Sequence, residues 1–166
     1  MSLQPNQPPL ALTFVNETPA HSPAIEALLT RAFGPGRFAK VSERVREFAT
    51  FAPELSFCAF EGERLLGVVR MWRAAVGDQP ITFLGPLAVD EDERKHGLGA
   101  QLMTRACDAA DAVGEAAVVL VGDLPFFSRV GFAVAPEVVM PGPVDPRRVL
   151  ARIFQDAALR GLVRPR

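Results

Sequence analysis

Arg94, Lys95 and His96, followed at once by Gly97 and Gly99, are the residues of this chain whose types and spacing could do chemistry. Glycine has no Cβ, so a ligand can approach its main chain closely, and a helix starting here leaves several N–H groups without an intrahelical acceptor. The helix dipole adds partial positive charge at the same end, and the three preceding side chains supply cationic or donor groups. That combination suits an anion, above all a phosphate or pyrophosphate. A nucleotide P-loop would place Lys and Ser or Thr after its last glycine, where this chain has Ala100, Gln101 and Leu102. A dinucleotide fingerprint would need a glycine at position 102. Both loops are disfavoured, and with them a protein built to bind ATP or NAD.

The flanking residues supply the elements that would position this loop. Ile81 to Val89 is apolar and partly β-branched, as in a buried strand, and Leu98, Leu102, Ala106, Ala109 and Val113 recur at the helical period before Gly114. Ala116 to Val121 reads as a second buried strand, so strand, helix and strand form a parallel pair with a right-handed crossover. Upstream, residues 56–61, 64–75 and 81–89 are strands whose short connections force antiparallel pairing. Earlier still, a strand over 11–15 precedes a helix capped by Ser22 and Pro23, whose face is Ile25, Leu28, Leu29 and Ala32. A second helix carries Phe38, Val41, Val45 and Phe48 on one face. On its other face Arg37, Lys40, Arg44 and Arg46 stand among Glu43 and Glu47, which reads either as a solvated face or as a patch for an acidic substrate. Downstream, Pro125 to Arg129 suits a helical turn and 132–135 a short strand, while 136–143 should be extended. Asp145 and Pro146 then open a last helix with Leu150, Ile153, Phe154 and Ala157 on its face, stopped by Gly161.

Three stretches together carry a family resemblance. They are Leu87-Ala88-Val89-Asp90, then Arg94-Lys95-His96-Gly97-Leu98-Gly99-Ala100, then Phe127-Ser128-Arg129-Val130-Gly131-Phe132. In this order they resemble the GNAT superfamily of N-acetyltransferases, whose signature is Q/R-x-x-G-x-G/A after a strand, with an aromatic residue four positions before a later Gly-Phe. The phrases Leu84-Gly85-Pro86-Leu87-Ala88-Val89, Val121-Gly122-Asp123 and Phe33-Gly34-Pro35-Gly36-Arg37-Phe38 resemble its small, uncharacterised bacterial branch. The resemblance implies a mixed α/β fold with a mostly antiparallel sheet, one splayed parallel strand pair and helices on both faces. It implies acetyl-CoA as cosubstrate, with the pantetheine against the main chain of Leu87, Ala88 and Val89. The pyrophosphate would then lie on the N–H groups from Lys95 to Ala100, through His96, Gly97, Leu98 and Gly99, with Arg94 beside it. The implied reaction is acetyl transfer to a primary amine of a small molecule or peptide. A regulatory module that binds acyl-CoA with little turnover is the alternative.

Relatives in that superfamily often use a tyrosine as general acid, four residues before Gly-Phe. Phe127 stands at that position, and the chain contains no tyrosine at all. Asp123, just past the second parallel strand, is the best-placed carboxylate for a base, although beside Pro125 it reads first as a cap for the turn that follows. His21 and His96 are weaker candidates. Arg70, Trp72 and Arg73 read as strand-end surface and packing, or as substrate contacts.

At 166 residues the chain suits a single domain over 11–166 behind a loose leader over 1–10. A formal net charge of −1 argues against a protein devoted to nucleic acid. No apolar run approaches the ~20 residues that span a bilayer, and the N-terminus has no signal-like core, so a cytoplasmic protein without membrane contact is expected. Cys58 and Cys107 lack metal-ligand or redox spacing and read as small, reduced core residues, and no metal site is expected. The resemblance is compatible with a homodimer.

Overall fold

The computed structural model describes residues 11–34, 36 and 40–166, apart from the side chains of Arg94 and Lys95. The expected leader over 1–10, and Arg37 and Phe38 of the second helix, lie outside the described residues. In chain order the elements are β1 (Leu12–Asn16), α1 (Ser22–Phe33), α2 (Val41–Phe48), β2 (Thr50–Phe51), β3 (Phe57–Glu61), β4 (Arg64–Val76) and β5 (Gln79–Val89). They continue with α3 (Leu98–Ala112), β6 (Ala117–Val121), α4 (Leu124–Phe127), β7 (Ala133–Val134), β8 (Val138–Val139), β9 (Val149–Ile153) and β10 (Gly161–Arg164).

Short turns at Gly62–Glu63 and Gly77–Asp78 fold β3, β4 and β5 into the antiparallel centre of the sheet, as their connection lengths require. The sheet runs β1-β3-β4-β5-β6-β9-β7. β6 joins β5 in parallel with Ile81, Thr82 and Phe83 opposite Ala117, Val118 and Val119, which realises the expected crossover through α3. β4 is long enough to take β3 along its first half and the short β2 and β10 along its last residues. A further two-residue parallel bridge joins β8 to β10.

Alternation along the strands sends apolar side chains to both faces. On one face Leu102, Met103, Ala106, Cys107 and Ala110 of α3 pack on Leu66, Val69, Met71, Val118 and Leu120, with Phe132 closing that side. On the other, Ile25, Leu28 and Leu29 of α1 cover Cys58, Val68 and Ala88. Val45 of α2 covers Ile81, Phe83, Ala117 and Val119 on the same side. α1 begins at Ser22 with His21 in the cap position, because Thr18 and His21 already close the preceding turn, Thr18 N donating to His21 Nδ1 at 3.1 Å. Ser22 therefore stands inside the helix rather than capping it.

The expected C-terminal helix is not formed. Asp145 does cap a turn, accepting from Arg147 N at 3.0 Å, but the turn ends at Arg148 and Val149–Ile153 leaves it as a strand along the free edge of β6. Leu150 and Ile153, assigned to one helix face, thus point to opposite faces of a sheet. Gly161 opens β10 instead of ending a helix. β10 delivers Arg166 to the buried carboxylate of Glu115, with Nη1 to Oε2 at 2.9 Å and Nη2 to Oε1 at 2.8 Å. This ties the chain end to the turn between α3 and β6.

Both cysteines are buried in the core and unpaired with each other. Burial pushes the Cys58 thiol from an ordinary 9.0 up to about 12, helped by the Glu17 carboxylate, and burial pushes Cys107 up to about 11. The folded state therefore holds these protons more tightly than the unfolded chain. The stability they contribute is complete below the ordinary value and is lost as pH rises toward the folded ones. Iodoacetamide at about pH 8 should accordingly leave both thiols unlabelled in the native protein and label both in urea. Urea midpoints measured from about pH 8 to pH 11 should fall, and a Cys58→Ala, Cys107→Ala variant should show a shallower fall.

Candidate active site

β5 follows β6 only as far as Phe83 opposite Val119, and from Leu84 onward the two strands diverge. The divergence coincides with a bulge. Met71 pairs with Leu84 and Val69 with Leu87, so Gly85 and Pro86 together oppose Arg70. Trp72 Nε1 donates to Gly85 O at 2.6 Å and pins the bulge to β4. Trp72 thus packs, as expected, and also sets the path of the strand beside it.

Beyond the bulge each arm keeps its outer neighbour. β5 stays on β4, and Asp90 N donates to Leu66 O at 2.7 Å. In an antiparallel ladder that bond marks Asp90 and Ala88 as the residues bonded across to β4, and alternation turns the main-chain groups of Leu87 and Val89 toward the fork. β6 keeps β9, with Leu120 opposite Leu150 and Val121 opposite Val149. The result is a cleft of about 490 Å³ floored by Leu29, Leu84 and Leu120 and walled by Leu87, Trp72 and Phe126.

At the outer end of the β5 arm, Glu91–His96 form a 3-10 turn and Gly97 adopts a left-handed φ of 73°, which starts α3 directly. Among the described residues no atom lies within 4 Å of a Cβ built on Gly97, so the left-handed backbone angle is what demands glycine there. Gln101 N bonds to Gly97 O at 3.1 Å, which leaves the N–H groups of Leu98, Gly99 and Ala100 ahead of the first intrahelical bond. A Cβ on Gly99 would stand 3.4 Å from Phe126 Cζ and 3.7 Å from Val89 Cγ2, so its absence keeps open the gap between α3 and α4. His96 is exposed at the end of the turn, Leu98 is buried beneath it, and the Arg94 and Lys95 side chains lie outside the described structure. Two of the four neighbouring carboxylates turn to Arg64: Asp90 sits 3.4 Å from it and accepts from Asp92 N, and Asp92 lies 3.8 Å from it. These groups fit a pyrophosphate on the helix terminus and a thioester arm along Leu87.

The β6 arm carries the second set of groups. Asp123 is exposed and lines the cleft; its carbonyl accepts from Phe127 N at 3.0 Å, while its carboxylate makes no capping bond. Phe127 stands where the resemblance would put a tyrosine, and its ring packs edge-on with Phe126 and Phe132 at 5.0 and 5.9 Å. That ring lies on Gly122, where a Cβ would meet Phe127 Cε2 at 2.4 Å. His21 does not line the cleft and packs instead on Phe60.

The cations around the cleft divide by their partners. Arg70 is bidentate to the buried Glu17, with Nη2 to Oε1 at 2.8 Å, and reaches Glu26 at 3.5 Å. Arg46 is held by Glu43 at 2.8 Å. Arg73 is bound to Glu54 and does not line the cleft. Arg148, which sequence reasoning assigned to a helix and passed over, lies across the end of β6. Its Nε donates to Gly122 O at 3.4 Å, and Gly122 N donates to Arg148 O at 2.9 Å. The available signal was Asp145-Pro146-Arg147-Arg148, a capped turn in which Asp145 retains Arg147.

The family model described as Acetyltransferase (GNAT) family matches residues 23–132. The uncharacterised N-acetyltransferase YhbS of Escherichia coli strain K12 is 36% identical over 121 residues, covering 72% of this chain and 72% of that protein. The crystal structure of YhbS from Escherichia coli in complex with CoA is similar with a TM-score of 0.79 at 32% identity, over 95% of this chain and 91% of that one. A GNAT family acetyltransferase from Brucella melitensis in complex with acetyl-CoA shares the fold, with a TM-score of 0.69 at 20% identity over 93% and 96% of the two chains.

The contact between Gly122 and Phe127 yields a stability test. Gly122→Ala should cost about 1–3 kcal/mol in urea denaturation, because the ring is hemmed in by Phe126 and Phe132 and has little room to yield. In a Phe127→Ala background the same substitution should cost much less. Equal costs in the two backgrounds would show that the ring is not what excludes a side chain.

Proposed function

The chain belongs to the GNAT family of acetyltransferases, and on that footing we propose that it transfers an acetyl group from acetyl-CoA to a primary amine of a small molecule or peptide by direct attack on the thioester. It is an N-acetyltransferase with acetyl-CoA as cosubstrate. The observation that carries the proposal is the fork itself. One arm offers main-chain groups at Leu87 leading to the helix terminus at Gly97, and the other offers a carboxylate at Asp123 on the facing wall.

In this reading the Leu87, Ala88 and Val89 segment binds the pantetheine, with Leu87 and Val89 turned to it. The N–H groups from Lys95 through His96, Gly97, Leu98, Gly99 and Ala100 take the pyrophosphate, beside Arg94. Acetyl-CoA supplies an activated acyl carbon. The amine nitrogen attacks that carbon, the carbon–sulfur bond breaks, and the sulfur leaves as CoA thiolate. The Leu87 N–H is the donor placed for the negative charge that builds on the thioester oxygen. Asp123 takes the proton that the amine must lose, directly or through water. Phe127 cannot donate a proton, and a thiolate with a moderately low thiol pKa is a tolerable leaving group without one.

Calorimetric titration with acetyl-CoA should give saturable binding, weakened at least about tenfold in Gly97→Asp, Gly99→Asp. Gly99→Asp alone introduces no left-handed strain and separates lost binding from lost folding. No binding by the unmodified chain would overturn the cofactor site. Binding without CoA release from any amine would instead favour the acyl-CoA-binding module. With an acceptor in hand, Asp123→Asn should lower kcat/KM by about a hundredfold. Turnover retained across pH would leave Asp123 without the base role.

A further inference from the structure

We propose that the acceptor carries a carboxylate close to its reactive amine, so that a free amino acid, rather than a polyamine or a protein lysine, is the class of substrate. The proposal rests on the acetyltransferase reading above. It comes from the pairing of charges around the cleft. Arg70 is neutralised by Glu17 and Glu26, and Arg46 is held by Glu43, so both have carboxylate partners within the protein, while Lys40, which also lines the cleft, lies over the Phe33 ring at 5.3 Å on the far wall from Asp123's strand. Arg148 lines the same cleft and has no carboxylate within salt-bridge distance among the described residues. The nearest acid in sequence, Asp145, is taken by Arg147 through two side-chain bonds at 3.1 and 2.9 Å.

Arg148 is also aimed. Its carbonyl accepts from Gly122 N at 2.9 Å and its Nε, on an exposed side chain, donates to Gly122 O at 3.4 Å, which directs the guanidinium to the end of the β6 arm. Use of Nε leaves both Nη groups of the guanidinium fork, the geometry that receives a carboxylate. On the other side of Gly122 stands Asp123, whose carboxylate pairs with no cation among the described residues. Opposite charges that share one anchoring residue and do not pair with each other are complementary to a ligand carrying both signs at short separation. The acceptor's ammonium group lies by Asp123, where it loses its proton, and its carboxylate lies on Arg148. A polyamine would set a second cation against Arg148, and a lysine within a protein would bring only neutral main chain there.

The test is CoA release by the full chain with free amino acids, the matching amino-acid amides and the matching decarboxylated amines. The free acids should be preferred by about ten- to a hundredfold in kcat/KM, the size of one charge-assisted contact. Arg148→Gln should collapse that ratio toward one through KM, and Arg148→Lys should restore part of it. Equal use of amides and acids, or a ratio that survives Arg148→Gln, would overturn the proposal while leaving the acetyltransferase intact. Acetyl-CoA binding with no release from any of the three sets would also overturn the acceptor class. Absence of acetyl-CoA binding would be a failure of the acetyltransferase reading itself.

Discussion

Everything at the candidate site depends on one constraint: beyond Phe83, β5 does not stay paired with β4 and β6 at once. The extra residue at Gly85 and Pro86 shifts its register against β4, and Trp72 holds the displaced carbonyl in place. Proline has no N–H to offer a ladder at that point. The strand keeps β4 and departs from β6. A buried sheet opened this way would leave bare main chain on both arms, and it is tolerable because β4 and β9 satisfy the outer edges while the inner edges face a ligand-sized space.

This constraint also explains which parts of the fold were legible in the sequence. The stretch from Ile81 to Gly114 was readable because its signals are local: apolar periodicity, a glycine that must take a left-handed angle, and a glycine just beyond the end of α3. The β3, β4 and β5 meander was readable from its turns. The segment 149–153 was not. Val149, Leu150 and Ala151 are all buried, so the alternation that marks a half-exposed strand is missing, and an apolar spacing compatible with a helix is left. What decides its conformation is the open edge of β6, which lies nearly thirty residues upstream and leaves no trace in local pattern.

The same error hid half of the proposed acceptor side. A helix over 145–160 would have placed Arg148 among surface cations, whereas the strand brings it to Gly122. The proposed phosphate loop was legible because backbone geometry is written in glycines. The facing wall was visible only at Asp123, since its other groups meet there through tertiary pairing. The second helix shows the limit from the other direction, because its charged face reads as either solvated or substrate-directed. In the fold Arg46 does line the cleft, yet Glu43 of the same helix already holds it.

Division of labour between the two arms gives the absent tyrosine a physical setting. On the proposed reading the β5 arm handles the cofactor with main-chain groups, which do not titrate and do not depend on side-chain identity. The β6 arm handles the acceptor with side chains, and there the aromatic position is used for packing. Phe127 packs closely against Gly122 and links α4 to Phe132. A hydroxyl on that ring would assist departure of the thiolate, the easier of the two proton problems. Removing a proton from the attacking ammonium is the harder one, and the chain keeps an exposed carboxylate facing the cleft beside the residue on which the ring rests. Packing at the end of β6 and the proposed chemistry therefore fall on adjacent residues, Gly122 and Asp123.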